Sequence, residues 1–593
     1  MLAWQAWLVE QAGRNGDRAA VAALASVLEG RVLGSSSSSA SNGPPELPAG
    51  FDAAALMAAS REWLLVGGER RTAGAVYTPP AIAAGVLAQA TAGWSVPARP
   101  RVCDPACGGG AFLVAAARWL HTLGFDPTTI ATDLLWGADR DAVAIDAAAH
   151  SLRLWALAAD GSDVHPPHLV AADPLRLGDA AWPDAGGFDL VIGNPPFQGQ
   201  LGRGTARTRS ESAAVDTRLG LPASGYADTA ALFLVLGRRL VANGGRVSLI
   251  LPESVLAARD ASPARAAATA GAALVGLWVA AGPVFEAATK VCAPVVHVGP
   301  PPSGRAGERP VRRSCGAGFE PLAAGRVPDR GSWSSLALAA YGTPEVSLEP
   351  IAGVLGDLAG ATAGFRDQFY GLAPFVIEAA PSAGAGAASR SVAAPLVTSG
   401  LIDAGGHRWG QAPTRFAGRC WDRPVVDLDE LAASDPVLDR WVRRRLVPKI
   451  LVATQTKVVE AVADPEAALV PSVPVISVEP FRRKDLWRAL AVLLAPPTSA
   501  WALAEAGGSA LAPDTIKLSA TQFRAAPLPA GAVAWAAGAD ILRAAHKGGG
   551  PVAWDRFAAT MLDAYGLEAD HPVLAWWSAR LGRQAPPVPL ACR

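Results

Sequence analysis

Asn194, Pro195, Pro196 and Phe197 close the apolar run FDLVIG and carry more potential chemistry than any other short stretch of this sequence. Two consecutive prolines at the end of a buried strand fix φ and cannot donate ladder hydrogen bonds, so the strand ends in a rigid corner. Such rigidity makes sense where a carbonyl and a side chain must be held in place. An amino group conjugated to a ring is a poor nucleophile, because its lone pair is delocalised. Asn194 Oδ1 and the Pro195 carbonyl can each accept one of its N–H groups. Those bonds favour the charge that builds on nitrogen as it attacks a sulfonium methyl. Phe197 offers a face on which the ring can stack. A rigid strand-end turn with no chemistry is the weaker reading, since a strand ending in Asn-Pro-Pro-aromatic is rare by chance.

Three further acids end apolar strands upstream. RVCDPACGGGAFLVAAARWL places Asp104 at the end of a short strand, followed by Gly108, Gly109 and Gly110 and then a helix. In an open parallel sheet, ligands lie at the carboxyl ends of the strands near the switch point, and glycines there let the backbone come close. The turn is not GxGxxG, and no GKS or GKT follows, so a phosphate cradle is not expected. GADRD ends the next strand. A carboxylate there can accept hydrogen bonds from both ribose hydroxyls, Asp139 being the first choice and Asp141 the second. A helix-capping role fits either acid about as well. Asp173 in LVAADPL can accept from an adenine amino group of a cofactor, or it can cap a turn.

DPACGGGAFL, the acid of GADRD, the Asp of AADPL and NPPF, in that order, resemble the amino-methyltransferases that use S-adenosylmethionine. GAVYTPPAIAAGVLAQA (74–90) is similar to their cofactor-binding segment. Its place ahead of the Gly-rich strand, with a long C-terminal region after NPPF, is the gamma-class order of N6-adenine DNA methyltransferases. GRVSLILPESVL resembles their next strand. GPVFEAATKVCAPVVHV resembles the segment whose Phe touches the target adenine, here Phe285. ATAGFRDQFYGL, LVTSGLID, KILVATQTKVVEAVAD and IKLSATQFRAAPLP look like target-recognition regions of restriction-modification methyltransferases.

The resemblance implies S-adenosylmethionine as cofactor, held by Tyr77, Thr78, Pro79, Asp104, Pro105, Ala106, Cys107, Gly108, Gly110, Asp139, Asp173 and Asn194. It implies that Phe197 and Phe285 meet the base, that double-stranded DNA is the substrate, and that the adenine is flipped out of the stack. Two positions depart from the family: Gly109 stands where Ser is common, and Phe197 replaces the commoner Tyr. The Arg-bearing loop LGRGTARTRSESAAVDTR (201–218) is expected near the flipped base, or is simply a solvated loop. RWVRRRLVPK and FRRKDLWR offer phosphate contacts or solvated charged faces. RNA adenine or an amide nitrogen is an alternative substrate for the same chemistry. An inactive DNA-binding subunit of a defence complex is a third reading, opposed by the intact Asn194, Pro195, Pro196 and Asp104. No metal is expected, since methyl transfer from a sulfonium needs no Lewis acid and the eight His lack metal-like spacing. No nuclease cluster is expected either, so any restriction or defence protein would be separately encoded.

These residues need a scaffold. RVCDP, LLWGAD, HLVAAD, FDLVIGNPP, GRVSLILP, LVGLWVA and APVVHVG read as buried strands, alternating with helices over 81–90, 112–123, 141–159 and 229–241. The fold class is therefore α/β: a Rossmann-like methyltransferase domain, its mostly parallel sheet covered by helices on both faces. A C-terminal α+β target-recognition domain follows. The expected divisions are an N-terminal helical segment with a Ser/Pro linker (1–73), the catalytic domain (74–300), a linker region (301–350), the target-recognition domain (351–530) and a C-terminal helical segment (531–593). The formal net charge of zero weighs mildly against nucleic acid unless the charge is segregated onto one face. Six scattered Cys suggest small buried or free thiols. The N-terminus lacks a secretory pattern, and no run of about 18 uncharged apolar residues appears, so no membrane partner and a cytoplasmic setting are expected.

Overall fold

The computed structural model describes residues 2–34, 44–45, 52–65, 77–183, 185–197, 214–215, 217–221, 228–285, 289–299, 310–327, 332–364, 366–379, 393–506 and 515–581. The chain divides into two compact units, Met1–Ala340 and Tyr341–Arg593.

The first unit opens with helices α1 (Leu2–Asn15), α2 (Asp17–Val32) and α3 (Ala53–Leu64), then α4 (Pro80–Thr91). Next come β1 (Val102–Asp104), α5 (Ala111–Thr122), β2 (Leu135–Asp139), α6 (Ala142–Asp160), β3 (Leu169–Ala171), the short α7 (Pro174–Leu177) and β4 (Phe188–Gly193). After α8 (Thr229–Leu240) follow β5 (Val241–Leu249), β6 (Leu251–Pro252), β7 (Ala272–Val279), β8 (Val291–Val298), β9 (Pro310–Cys315) and β10 (Glu320–Arg326). Their sheet runs β10-β9-β7-β8-β5-β4-β1-β2-β3, with β6 pairing β8 off that path.

The five strands β3, β2, β1, β4 and β5 are parallel. The apolar runs of β1, β2, β4 and the latter half of β5 are buried as such strands require, while the edge strand β3 is partly exposed. β8 is antiparallel to β5 and to β7, while β7 and β9 pair in parallel. The chain lays β2 and β3 on one side of β1 and β4 on the other. Strand order thus reverses between β1 and β4, and the crevice at their carboxyl ends is where such sheets take ligands.

Three expected boundaries are not structural boundaries. The N-terminal helices share one core with the sheet: Trp4, Leu8, Leu24, Leu28, Leu56 and Met57 lie in the same buried cluster as Val102, Leu113, Leu135 and Ile192. An amphipathic helix without that surface would leave these side chains in water, which is why 1–73 does not stand apart. The region 301–350 contributes β9 and β10, which extend the sheet beyond residue 300. β10 is largely exposed, so its polar face hid the strand in the sequence. Helix α6 is long and apolar enough to cross a membrane by composition, and Ala147, Leu152, Leu154 and Trp155 bury it in the same core.

The second unit has an antiparallel sheet in the order Ala359–Ala363, Ile476–Pro480, Lys449–Val452, Ala461–Asp464. A second small sheet runs Val376–Glu378, Pro424–Asp427, Ala393–Val397, Val470–Pro471. Lys449 is fully buried and pairs with Asp464, whose oxygens also accept the Ala468 and Leu469 N–H groups at 2.9 and 3.0 Å. Such satisfaction is what a buried ion pair requires. The helices after residue 530 belong to this unit: Trp535 Nε1 donates to the Arg488 carbonyl at 3.0 Å, and Tyr565 Oη to the Pro527 carbonyl at 2.9 Å. Cys103, Cys107, Cys292 and Cys315 are free, whereas Cys420 is disulfide-bonded, contrary to the expectation of thiols throughout.

Candidate active site

The Gly-rich turn is built by its neighbours. The Cys107 N–H donates to the Ala138 carbonyl at 2.9 Å, tying the turn to β2. The Gly108 N–H donates to Asp139 Oδ2 at 3.0 Å, and Asp139 Oδ1 accepts the Asp141 N–H at 2.9 Å. Asp139 therefore clips the turn to the start of α6. Gly108 has φ of +50°, and the space where its side chain would project is open for 4 Å. Gly110 has φ of +95° at the start of α5, a left-handed position that favours glycine.

Asp104 joins the turn to the Asn-Pro-Pro corner. Its Oδ1 accepts the Ala106 N–H at 3.0 Å. That same oxygen lies 2.3 Å from where a Cβ on Gly193 would stand, so the residue before Asn194 must be glycine for the carboxyl to fit. The turn and the corner thus lie side by side at the carboxyl ends of β1 and β4. Asn194 Nδ2 donates to Thr78 Oγ1 at 3.1 Å, which turns Oδ1 away from Thr78. Thr78 is buried, just ahead of α4. Pro79 sits at the cap position of that helix.

Tyr77 is held from α3. Its N–H donates to Glu62 Oε2 at 2.6 Å and its Oη to the Ala55 carbonyl at 3.3 Å. An apolar cleft of about 270 Å³ opens beside it between α3, α4 and α5, lined by Ala58, Tyr77, Leu87, Val114 and Trp119 among others. Neither Asp104 nor Asn194 lines that cleft.

Burial dominates the electrostatics. It pushes the Asp104 carboxyl up to about 8, with the nearby Asp139 adding to the rise and the Ala106 N–H resisting it. Burial also raises Asp139, against the two N–H donors it accepts. The Tyr77 phenol goes to about 12 through burial and the charges of Asp52 and Glu62. Cys107, packed in the turn, is raised well above a normal thiol by burial.

Other expected residues are placed more plainly. Asp173 caps α7, accepting the Leu175 N–H at 3.0 Å, at the carboxyl end of β3 beside β2. Asp141 caps α6 through the Val143 N–H at 2.9 Å and pairs with Arg61. Phe285 is buried in the large core cluster, and the half-buried Phe197 packs against that same cluster. Pro105, Ala106 and Pro195 follow their strands directly and carry no side-chain hydrogen bond of their own. Most of the Arg-bearing loop after NPPF lies outside the described residues. Among the described residues, no group of three or more His, Cys, Asp or Glu could hold a metal ion.

Sequence reasoning reads a helix over 51–66, where α3 lies, but does not connect it to the site. Ala55, Ala58, Arg61 and Glu62 all touch the turn or its supports, yet they lie in an Ala-rich helix with no motif.

A parallel sheet with its strand order reversing at β1 and β4, a Gly-rich turn after β1 and acids ending β1 and β2 define the α/β fold of S-adenosylmethionine-dependent methyltransferases. Residues 58–265 match the N-6 DNA Methylase family model, so this stretch, which contains the whole crevice, is an N6-adenine DNA methylase domain. Among solved structures, the type IIL restriction-modification enzyme MmeI in complex with DNA is 14% identical, with 90% of this chain and 79% of that chain covered and a TM-score of 0.55. A modification subunit of a putative type I restriction enzyme from Vibrio vulnificus YJ016 is 20% identical over 46% of this chain and 54% of its own, with a TM-score of 0.33. The type IIG restriction endonuclease BpuSI is 14% identical over 83% and 62%, with a TM-score of 0.40. At these identities the likeness to MmeI concerns the fold, and the other two overlap too loosely to argue from. No curated protein matches the chain.

Proposed function

We propose that this chain methylates adenine N6 at specific sites in double-stranded DNA, as part of a restriction-modification or phage-defence system. One observation supports the reading: Asp104, beside the glycine turn, packs onto Gly193, the residue before Asn194, which brings the turn and the corner side by side. The acids suit S-adenosylmethionine. Asp104 offers a buried carboxyl to an ammonium group, whose positive charge would favour the ionised form that burial disfavours. Asp139 accepts one N–H on each oxygen and keeps further acceptor capacity for ribose hydroxyls. Asp173 keeps one oxygen beyond its cap for an amino group. The open backbone at Gly108 lets a ligand approach. The bound cofactor supplies an electrophilic methyl.

The chain's own part is to prepare the nitrogen. Thr78 orients the Asn194 amide so that Oδ1 and the Pro195 carbonyl can accept the two N–H groups of the target amine. The prolines hold both acceptors rigid, so little reorganisation accompanies the build-up of charge. Phe197 and Phe285 would flank the flipped base. The second unit would read the sequence around it. That MmeI is a restriction-modification enzyme solved with DNA supports the choice of DNA over RNA.

The test is transfer of tritiated methyl from S-adenosylmethionine to duplex DNA, RNA and protein, with N6-methyladenine mapped in host DNA. Label in DNA at adenines within one motif is expected, and label confined to RNA or protein overturns the proposal. Asn194→Ala should lose at least about 100-fold in kcat, the scale of removing one oriented hydrogen-bonding group from a reacting site, while still binding cofactor.

A further inference from the structure

Arg61 lies on α3, far in sequence from any motif, yet it reaches the acids beside the glycine turn. Its Nε donates to Asp141 Oδ2 at 2.5 Å and its Nη1 to Asp17 Oδ2 at 2.9 Å. The arginine side chain is 17% exposed, less than either acid. Asp141 Oδ1 meanwhile caps α6 through Val143, and its backbone N–H donates to Asp139. Asp139 then accepts from Gly108. A continuous relay therefore runs from α2 and α3 through Arg61, Asp141 and Asp139 to the turn.

An isolated exposed ion pair would contribute little. This one is forked, half-buried and placed among like charges. Asp104, Asp139 and Asp141 lie at two adjacent strand ends, where the charge of Asp139 raises Asp104 and that of Asp141 raises Asp139. Arg140 faces Asp139 from its own segment, and Arg61 is the cation supplied by another element. An acid that must accept two hydroxyls works only in its ionised form, since the neutral form gives up acceptor capacity to carry its proton.

We infer that Arg61 is a positioning residue for the cofactor site, neutralising Asp141 and fixing the segment from which Asp139 holds the glycine turn. The inference rests on the cofactor reading above and extends it to α3, which thereby becomes part of the site's machinery. Arg61 touches neither cofactor nor substrate; it acts through Asp141.

The experiment measures S-adenosylmethionine binding to the full chain by calorimetry without DNA, together with the steady-state split of KM for cofactor against kcat. Arg61→Gln keeps the helix propensity and an N–H donor near the Nε position but removes the charge. It should weaken cofactor affinity about tenfold and raise KM for cofactor to match, with kcat at saturating cofactor within about twofold. Asn caps helices as well as Asp, so Asp141→Asn in the Arg61→Gln background removes the uncompensated charge without losing the cap. That double variant should recover affinity to within about threefold of the parent. A purely structural role for Arg61 predicts no such recovery, and a double variant as weak as the single one overturns the inference. Arg61→Gln binding like the parent overturns it as well. Asp139→Ala separates the two levels. If Asp139→Ala binds normally, the cofactor reading itself fails; if it loses binding while Arg61→Gln does not, only the role of Arg61 fails.

Discussion

Burial holds the Asp104 carboxyl at a cost to stability. Its carboxyl is raised from an ordinary 3.8 to about 8, chiefly by burial. At pH 3 both folded and unfolded chains carry its proton, and the group is neutral with respect to stability. Between about pH 4 and pH 8 the unfolded chain loses the proton while the folded chain retains it. The unfolded state then binds fewer protons, so this residue lowers stability progressively as pH rises through that window and levels off above about 8. Asp104→Asn keeps the shape and the acceptor for the Ala106 N–H but has nothing to ionise. The variant without cofactor should therefore match the parent near pH 4 and exceed it by on the order of 2 kcal/mol or more at pH 8, read from denaturant midpoints. It should also lose cofactor binding at both pH values. A parent whose advantage grows with pH would contradict the assignment. Added S-adenosylmethionine should stabilise the parent but not the variant, since only a ligand that binds the folded chain shifts the equilibrium.

Helix α3 shows how a plain element can shape a site. The Ala58 carbonyl lies 2.1 Å from where a Cβ on Gly109 would stand, so the turn is pressed against the helix backbone. Backbone cannot rotate aside as a side chain can. Gly109→Ser, which installs the residue common in similar proteins, should therefore destabilise the first unit by at least about 2 kcal/mol, in the range of overpacking a tight interior. A melting temperature unchanged from the parent would show that α3 gives way. The same contact explains why Gly109 was legible only as a departure and not as a consequence. The strands were readable because β-branched runs ended in glycine, proline or acid. The crevice was readable because its acids and its Asn-Pro-Pro corner end those runs. The support from α3 was not readable, since a carbonyl at position 58 and a glycine at position 109 meet only through packing. β9 and β10 were hidden for another reason. Residues 301–350 are rich in Pro, Gly and Arg; β10 forms the sheet's edge with a largely solvated surface, and β9 (PVRRSC) has no apolar run. Asp141 and Asp173 were left between two roles in the sequence, and both serve at least as caps.

The whole chain has no net charge, yet its proposed substrate is a polyanion. Neutrality averaged over 593 residues does not forbid a basic surface, because attraction to phosphates depends on charge within about a Debye length, roughly 10 Å. The second unit exposes such groups. Arg440 and Arg444 lie on or just beyond one helix, and Arg482 and Lys484 follow the strand Ile476–Pro480 beside the exposed Phe481. If the second group neutralises two phosphates, Arg482→Ala with Lys484→Ala should make the slope of log K against log salt less negative by about 1.8 on duplex DNA. The loss should be similar on cognate and unrelated sequences, since phosphate contacts carry no base information. Cofactor affinity measured without DNA should stay within about twofold, because the residues proposed to hold the cofactor lie in the first unit. A slope unchanged from the parent would mean that these side chains are merely solvated. The same measurement on Arg440→Ala with Arg444→Ala would then decide whether the other basic group meets the backbone, and an unchanged slope there too would remove DNA contact from both groups of the second unit.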